Sequence, residues 1–296
     1  MNYSFYQVDV FTNIPFGGNP LAVVFNSEGL TDQNMQNIAM EMNLSETSFV
    51  LPPDHLPADF LIRIFTPQKE LPFAGHPVLG TAHVLRESGK VLSGDHQIKL
   101  ATKAGIINIR EKQKKNILFM DQLLPEFQNP IYCSDELGKI LGISTNDINL
   151  TNRPIQIVST GLPVLLVPIA SINVLKNISI DNNRLIQFLA NIGTDLLCVF
   201  TDQTLDSDST IHSRVFAPSL GIVEDPATGS AAGAAGAYLF KNKLLLNDYN
   251  NMIIEQGHMV GRPSSLFVSI EQNKNKIQSI QVGGESLTLI KGEITA

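Results

Sequence analysis

The sequence predicts two domains of one fold, each a set of strands wrapped around a central helix. Three observations carry that expectation. First, the chain repeats itself: Arg63-Ile64-Phe65-Thr66-Pro67 recurs 151 residues later as Arg214-Val215-Phe216-Ala217-Pro218, and Pro72-Phe73-Ala74-Gly75-His76-Pro77 recurs 154 residues later as Pro226-Ala227-Thr228-Gly229-Ser230-Ala231. The change of offset places a three-residue insertion in the second loop. Second, both halves carry an amphipathic helix followed by an apolar strand. Third, both carry a helix of small residues just after a glycine turn. Such a helix has too few large side chains to cover a sheet, but it fits inside a curved sheet whose side chains point inwards. The other arrangement open to it is packing on one face of an ordinary sheet.

Taken in order, Met1-Asn2-Tyr3-Ser4-Phe5-Tyr6 reads as the start of a strand. Gly18-Asn19-Pro20-Leu21-Ala22-Val23 follows, and Gly161-Leu162-Pro163-Val164-Leu165-Leu166 resembles it in the second half. Met35, Ile38, Ala39 and Met42 recur at helical spacing, as do Leu185, Phe188, Leu189 and Ile192. Ser48-Phe49-Val50-Leu51 and Cys198-Val199-Phe200 are the strands behind them. The small-residue helices are expected at about 77–87 and 231–241. Two glycines within a helix weaken it by roughly 1 kcal/mol each, which points to close packing around the backbone. The basic run Arg110-Glu111-Lys112-Gln113-Lys114-Lys115 lies between apolar stretches and reads as a solvated hairpin tip. Gln122, Pro125, Asn129 and Pro130 mark the domain boundary, near 122–130.

Composition narrows the function. The 296 residues are 43% hydrophobic and 17% charged, which is enough apolar mass for a core. With 21 Lys and Arg against 28 Asp and Glu, the formal charge is −7, so neither nucleic acid nor an anionic membrane is an expected partner. Two cysteines, Cys133 and Cys198, supply neither a disulfide framework nor a four-ligand zinc site. The apolar stretch Gly161 to Leu175 is broken by Pro163, Pro168, Ser171 and Asn173 and is too short to span a bilayer. The expected compartment is the cytoplasm.

The glycine turns are the first candidate site. A helix N-terminus presents unpaired N–H groups and about half a positive charge, and glycine lets a ligand approach them. Gly75-His76 and Gly229-Ser230 therefore suit a substrate carboxylate, and two equivalent turns point to an interdomain cleft. The plainer readings are that Ser230 caps its helix and Pro77 occupies the first helical position. Glu224-Asp225-Pro226 precedes the second turn where Leu71-Pro72 precedes the first, so the acids break the internal symmetry. Asp225 is placed to face the pocket or to order its loop through an Asx turn. Glu46, between a helix and a strand, is open to a capping or surface role. The chain lacks a Gly-x-Gly-x-x-Gly turn, a Gly-Lys-Ser/Thr loop and a His-Glu-x-x-His pair, and no acid joins His76 and His83 in a metal site; no cofactor or metal is expected.

As a set, Gly18–Val23, Asn43-Leu44-Ser45-Glu46-Thr47-Ser48-Phe49-Val50, Phe73-Ala74-Gly75-His76-Pro77, Glu224–Ala231, Gln256-Gly257, Gly261-Arg262-Pro263-Ser264 and the closing Val282-Gly283-Gly284 resemble the PhzF-like family of phenazine-biosynthesis isomerases. The resemblance covers essentially the whole chain. It implies an α+β, diaminopimelate-epimerase-like fold: two pseudo-symmetric domains, each a curved, mostly antiparallel sheet wrapped around a central helix. The final strand would return to the first domain, giving domains of 1–122 with about 286–296, and 130–285. It also implies a homodimer. Relatives that racemise amino acids use a cysteine before each glycine turn; Ala74 and Thr228 stand there in this chain.

By the same resemblance, the candidate catalytic residues are Glu46, His76 and Asp225. Candidate substrate-binding residues are Asn19, Ser45, Gly75, Gly229 and Ser230. The implied reaction is a cofactor-independent isomerisation of a small cyclic or unsaturated carboxylic acid, trans-2,3-dihydro-3-hydroxyanthranilate or a related compound. Glu46 would take a proton from one carbon and return it to another. A free glutamate, with a pKa near ~4.3, is a weak base for carbon, and desolvation would strengthen it. Two other functions fit the same residues: an epimerase using Glu46 with His76 or Asp225 on opposite faces of a carbon, and a carboxylate-binding protein without chemistry.

Overall fold

The computed structural model describes residues 1–91, 97–111, 117–148, 150, 153–245 and 248–296. The chain divides into two compact units, Met1–Asp121 with Gly283–Ala296, and Gln122–Val282. In the first unit the elements run β1 (Asn2–Val10), β2 (Asn19–Val24), α1 (Asp32–Met42), β3 (Glu46–Leu51), β4 (Phe60–Phe65), β5 (Glu70–Leu71), α2 (Gly75–Glu87), β6 (Gln97–Thr102), β7 (Gly105–Glu111) and β8 (Leu118–Asp121). The second unit follows with β9 (Glu126–Phe127), α3 (Ser134–Leu141), β10 (Gln156–Ser159), β11 (Pro163–Pro168), α4 (Ile172–Lys176), α5 (Asn182–Ile192), β12 (Leu196–Thr201), β13 (Ile211–Ala217), β14 (Ile222–Asp225), α6 (Gly229–Lys241), β15 (Met252–Gln256) and β16 (Ser264–Asn273). β17 (Lys276–Gly284) and β18 (Ser286–Thr295) end the chain, and β18 pairs antiparallel with β1. No helix among the described residues is long and apolar enough to cross a membrane.

The two units share one pairing pattern. In the first, β1–β2 is antiparallel, β2–β3 parallel, β3–β4 antiparallel, β4–β6 parallel and β6–β7 antiparallel. In the second, β10–β11, β11–β12, β12–β13, β13–β15 and β15–β16 repeat the same order of senses. The fold is α+β with a mostly antiparallel sheet in each half. The amphipathic helices cover the outer faces. Met35, Ile38 and Ala39 of α1 pack with Tyr3, Val24, Phe49 and Phe65; Leu185, Phe188 and Leu189 of α5 pack with Leu137, Leu165, Leu197 and Phe216.

The small-residue helices lie against the other face. α2 touches β1, β2, β3, β6, β7, β8 and β18, while α6 touches β10, β11 and β16. Their glycines are pressed by the strands: a Cβ on Gly80 would sit 2.6 Å from Leu21 and 2.7 Å from Val10, and one on Gly236 would sit 2.6 Å from Val268. Glycine is retained because a methyl group there would overpack the interior. Both helices begin two residues earlier than the sequence suggested, at Gly75 and Gly229. Pro77 is therefore inside the first turn, where its missing N–H leaves no intrahelical bond unmade. Ser230 is likewise inside the helix, not its cap; Thr228 holds the cap position and makes no capping side-chain bond. Residues 112–115 of the expected basic tip lie outside the described residues, although the flanking β7 and β8 are paired.

The expectation that both Glu224 and Asp225 break the symmetry is corrected by the pairing register. Ile64 is opposite Leu71, and its repeat partner Val215 is opposite Asp225, so Glu224 is the counterpart of Glu70. Arg63 binds Glu70 through Nε at 2.8 Å and Nη2 at 2.7 Å; Arg214 binds Glu224 at 3.0 and 2.7 Å. Each guanidinium also lies over a phenylalanine two residues on, 5.2 Å from the Phe65 centroid and 5.0 Å from that of Phe216. Glu224 is thus a structural clamp, and Asp225 alone departs from the repeat. Arg214 also donates to the carbonyls of Leu175 and Ile178, at 2.9 and 3.1 Å.

Removing one partner of a buried charge pair leaves the other uncompensated. Glu224→Gln should lower the unfolding free energy by about 3 kcal/mol in urea titrations, with a smaller loss for Glu70→Gln at its more exposed pair. A loss below about 0.5 kcal/mol at Glu224, the range of an ordinary surface change, would contradict the clamp.

Candidate functional site

The site in the first unit is built on the parallel β2–β3 pair and the start of α2. Asn19 opens β2 and is buried, Pro20 follows it, and Leu21 is opposite Glu46, the first residue of β3. Asn43 takes a left-handed conformation (φ 50°) that ends α1 and turns the chain back into β3. Ser45, immediately before Glu46, is half-buried. The parallel pairing and the helix entry at Gly75 place His76 beside Glu46, with Nε2 of the ring 3.2 Å from Oε2 of the carboxyl. Both residues are 7% exposed.

The protonation of this pair follows from its other contacts. His76 is hydrogen-bonded to the backbone of Pro20. Proline has no N–H, so its carbonyl accepts and the ring donates. Nε2 has no such partner, which assigns the donated hydrogen to Nδ1. Burial pushes the imidazole down to about 3, although the Pro20 bond acts in the opposite direction. A neutral ring that donates through Nδ1 can only accept at Nε2. The 3.2 Å contact is then a hydrogen bond when Glu46 carries the proton. The imidazole is thus a neutral acceptor facing the carboxyl, able to receive a hydrogen from Glu46 whenever that side chain is protonated.

In the second unit, Asp225 ends β14 and is 9% exposed. Thr228 donates its hydroxyl hydrogen to Asp225 Oδ2. Gln256, at the end of β15, bonds both residues. Gly229 and half-buried Ser230 begin α6. The structure therefore brings together Glu46, His76 and Asn19 on one unit's strands and helix, and Asp225, Gly229 and Ser230 on the other's. Neither α2 nor α6 has a side-chain cap, whereas Thr31, Ser171 and Asp181 cap α1, α4 and α5. Their first-turn N–H groups, like those of α3, are left without the side-chain acceptor that α1, α4 and α5 have.

Sequence reasoning gave Thr228 and Gln256 no role. Thr228 registered only as a position without cysteine, and Gln256 only as part of a motif. The available signal was Gly257 beside it: its φ of 81° and a would-be Cβ 2.5 Å from the Pro226 carbonyl press the end of β15 onto the loop before α6. A second unforeseen pair is His212–Glu255, 2.7 Å apart and buried. Glu255 also accepts from the amides of Leu205 and Asp206. Burial opposes its charge, but the His212 bond and these amides bring it down to about 2. Cys133 is partly buried at the start of α3 and Cys198 is buried in β12; burial raises both thiols, to about 11 and about 12. No group of three or more His, Cys, Asp or Glu among the described residues is arranged to hold a metal. His83, outside the site, approaches Glu87 at 3.8 Å.

A family model described as phenazine biosynthesis-like protein, PhzC-PhzF, matches residues 8–292. The trans-2,3-dihydro-3-hydroxyanthranilate isomerase of Pseudomonas fluorescens is 36% identical over 296 residues, covering 99% of this chain and 99% of that protein. The crystal structure of a Bacillus anthracis phenazine biosynthesis protein of the PhzF family matches with a TM-score of 0.90 at 30% identity, over 100% of both chains. A hydroxyproline epimerase from Agrobacterium vitis has a similar fold at 11% identity, with a TM-score of 0.66 over 99% of this chain and 92% of that one.

The buried imidazole has a consequence for stability. Below about 6.5 an unfolded histidine takes a proton, while folded His76 stays neutral down to about 3. The folded state is therefore fully favoured above that upper limit and loses stability as the pH falls through this window. The slope from one such group is about 1.4 kcal/mol per pH unit. Urea unfolding of wild type and His76→Asn between pH 7.5 and 5 should show a shallower acid decline for the variant. Parallel profiles would contradict the neutral imidazole.

Proposed function

The chain belongs to the phenazine biosynthesis-like family and is an isomerase; from that premise we propose that Glu46 moves a proton between carbons of a small cyclic or unsaturated carboxylic acid, without a cofactor. The substrate class is that of the Pseudomonas fluorescens relative, trans-2,3-dihydro-3-hydroxyanthranilate or a related compound. The observation that supports the reading is the Glu46–His76 contact at 3.2 Å. A group that carries a proton from one carbon to another must be stable in both states. As a carboxylate, Glu46 takes hydrogen from carbon. As an acid it gains a hydrogen bond to His76 Nε2, an acceptor fixed by the Pro20 carbonyl. The contact thus favours the state in which the proton is held between the two transfers.

His76 serves as an acceptor in this scheme and never needs to become charged. Asp225 and Ser230 take the assisting roles that the resemblance gives them, and the uncapped first turns at Gly75 and Gly229 suit the substrate's carboxylate or charge developing on it. Ala74 and Thr228 stand where two-thiol racemases keep their cysteines, so that chemistry is absent from this chain.

Glu46→Gln tests the assignment directly. The amide can still donate to His76 Nε2, so melting should stay close to wild type. Turnover should fall by about 10²–10⁴-fold or more. Near-wild-type turnover would remove Glu46 from the reaction. Turnover in D₂O, paired with substrate deuterated at the carbon that loses hydrogen, should place either solvent or substrate label on the newly protonated carbon. A product with no hydrogen newly placed on carbon would contradict proton transfer.

A further inference from the structure

The loop that carries Asp225 is held by one side-chain amide. Gln256 is 1% exposed, and its side-chain amide bonds residues 225 to 228 through both its oxygen and its nitrogen. Its Oε1 accepts from the Thr228 amide at 3.1 Å. Its Nε2 donates to the Asp225 carbonyl at 2.6 Å and to Thr228 Oγ1 at 3.0 Å. The orientation of the amide is forced by its backbone partners, because a backbone N–H only donates and a carbonyl only accepts. With Nε2 donating to it, the Thr228 hydroxyl must send its own hydrogen elsewhere, and Asp225 Oδ2 receives it.

We propose that Gln256 is a positioning residue that fixes the direction of the Thr228 hydroxyl, so that Asp225 is kept as a hydrogen-bond acceptor. The chain of donation runs one way, from the Gln256 amide to the Thr228 hydroxyl to the Asp225 carboxylate. Such an arrangement stabilises the ionised form of Asp225 over the protonated one. It rests on the proposed function only in giving Asp225 a part in the reaction.

A simple loop brace is the competing explanation, and the internal repeat argues against it. The counterpart of Gln256, at the end of β6, is Thr102, whose hydroxyl donates to Gly105 and accepts from Ala104 within its own hairpin. It does not serve the loop before α2. That loop is held by a backbone bond, Ala104 N–H to Pro72 carbonyl at 3.1 Å, and its side chains at the matching positions are Leu71 and Ala74. The same loop therefore forms without a glutamine where there is no acid to direct. The polar chain is an addition in the half that carries Asp225. Charged groups on the adjoining strands are engaged separately: Glu224 with Arg214, and Glu255 with His212. His258 lies beside His212, with ring centroids 5.0 Å apart.

The test is the titration of Asp225 itself, read from the ¹³C carboxyl shift in aspartate-labelled protein and assigned with Asp225→Asn. This needs no substrate, so it stands or falls apart from the Glu46 assignment. Thr228→Val should raise the Asp225 midpoint by about one pH unit, the size of one lost hydrogen bond to a charged group. Thr228→Ser should leave it at the wild-type value. Gln256→Met, which also frees the Asp225 carbonyl to compete for the hydroxyl hydrogen, should raise it by roughly half a unit or more. In the Thr228→Val background, Gln256→Met should move it no further. An unmoved midpoint in Thr228→Val, or a Gln256 effect of full size without the hydroxyl, would overturn the proposal. So would a lowered melting temperature in Gln256→Met with an unchanged titration, the signature of a brace. If Gln256→Met fails to fold, the Thr228 valine and serine pair decides.

Discussion

A carboxyl oxygen held 3.2 Å from an imidazole nitrogen, with both residues 7% exposed, sets the terms for the rest of the first half. Water cannot screen such a pair, so the number of protons it holds decides whether it attracts or repels. The Pro20 carbonyl removes the ambiguity by taking the hydrogen of Nδ1. Every element around the pair then has a definite task. β2 must present Pro20, β3 must begin at Glu46, and α2 must begin at Gly75 so that His76 emerges in its first turn. The parallel register of Leu21 with Glu46 links the first two, and the tight contact of Gly80 with Leu21 links the third.

The duplication explains how two similar scaffolds come to carry different candidate residues. Each half offers the same places, and each fills one with an acid where the other has leucine. Glu46 opens β3 opposite Leu21; at the matching register Leu196 opens β12 opposite Val164. Asp225 ends β14 opposite Val215; at the matching register Leu71 is opposite Ile64. The arginine–glutamate clamps are the reverse case, kept in both halves because each holds the short strand before its glycine turn. Symmetric charge here serves the fold, and asymmetric charge marks the candidate chemistry.

Much of this was written in local sequence. The repeated Arg-x-Phe-x-Pro and glycine turns, the 3.6-residue spacing of Met35, Ile38 and Ala39, and the small-residue helices all follow from periodicity and packing volume. The pairing of Arg214 with Glu224 did not, because a ten-residue separation across an insertion has no local signature; only the strand register makes Glu224 the partner of Glu70. The helix starts were misplaced because Pro77 fits the first position and the third equally well by propensity. Glu46 could be a surface carboxylate until His76 is seen beside it. Gln256 was invisible for the same reason: a buried amide matters through partners that lie about thirty residues away in the chain.

Neutron diffraction on deuterated protein tests the central claim most directly, since it locates the hydrogen between Glu46 and His76. The account predicts deuterium on Nδ1 directed at the Pro20 carbonyl, none on Nε2, and one on the Glu46 carboxyl facing the ring. Deuterium on both ring nitrogens beside a bare carboxylate would show an ion pair and contradict it.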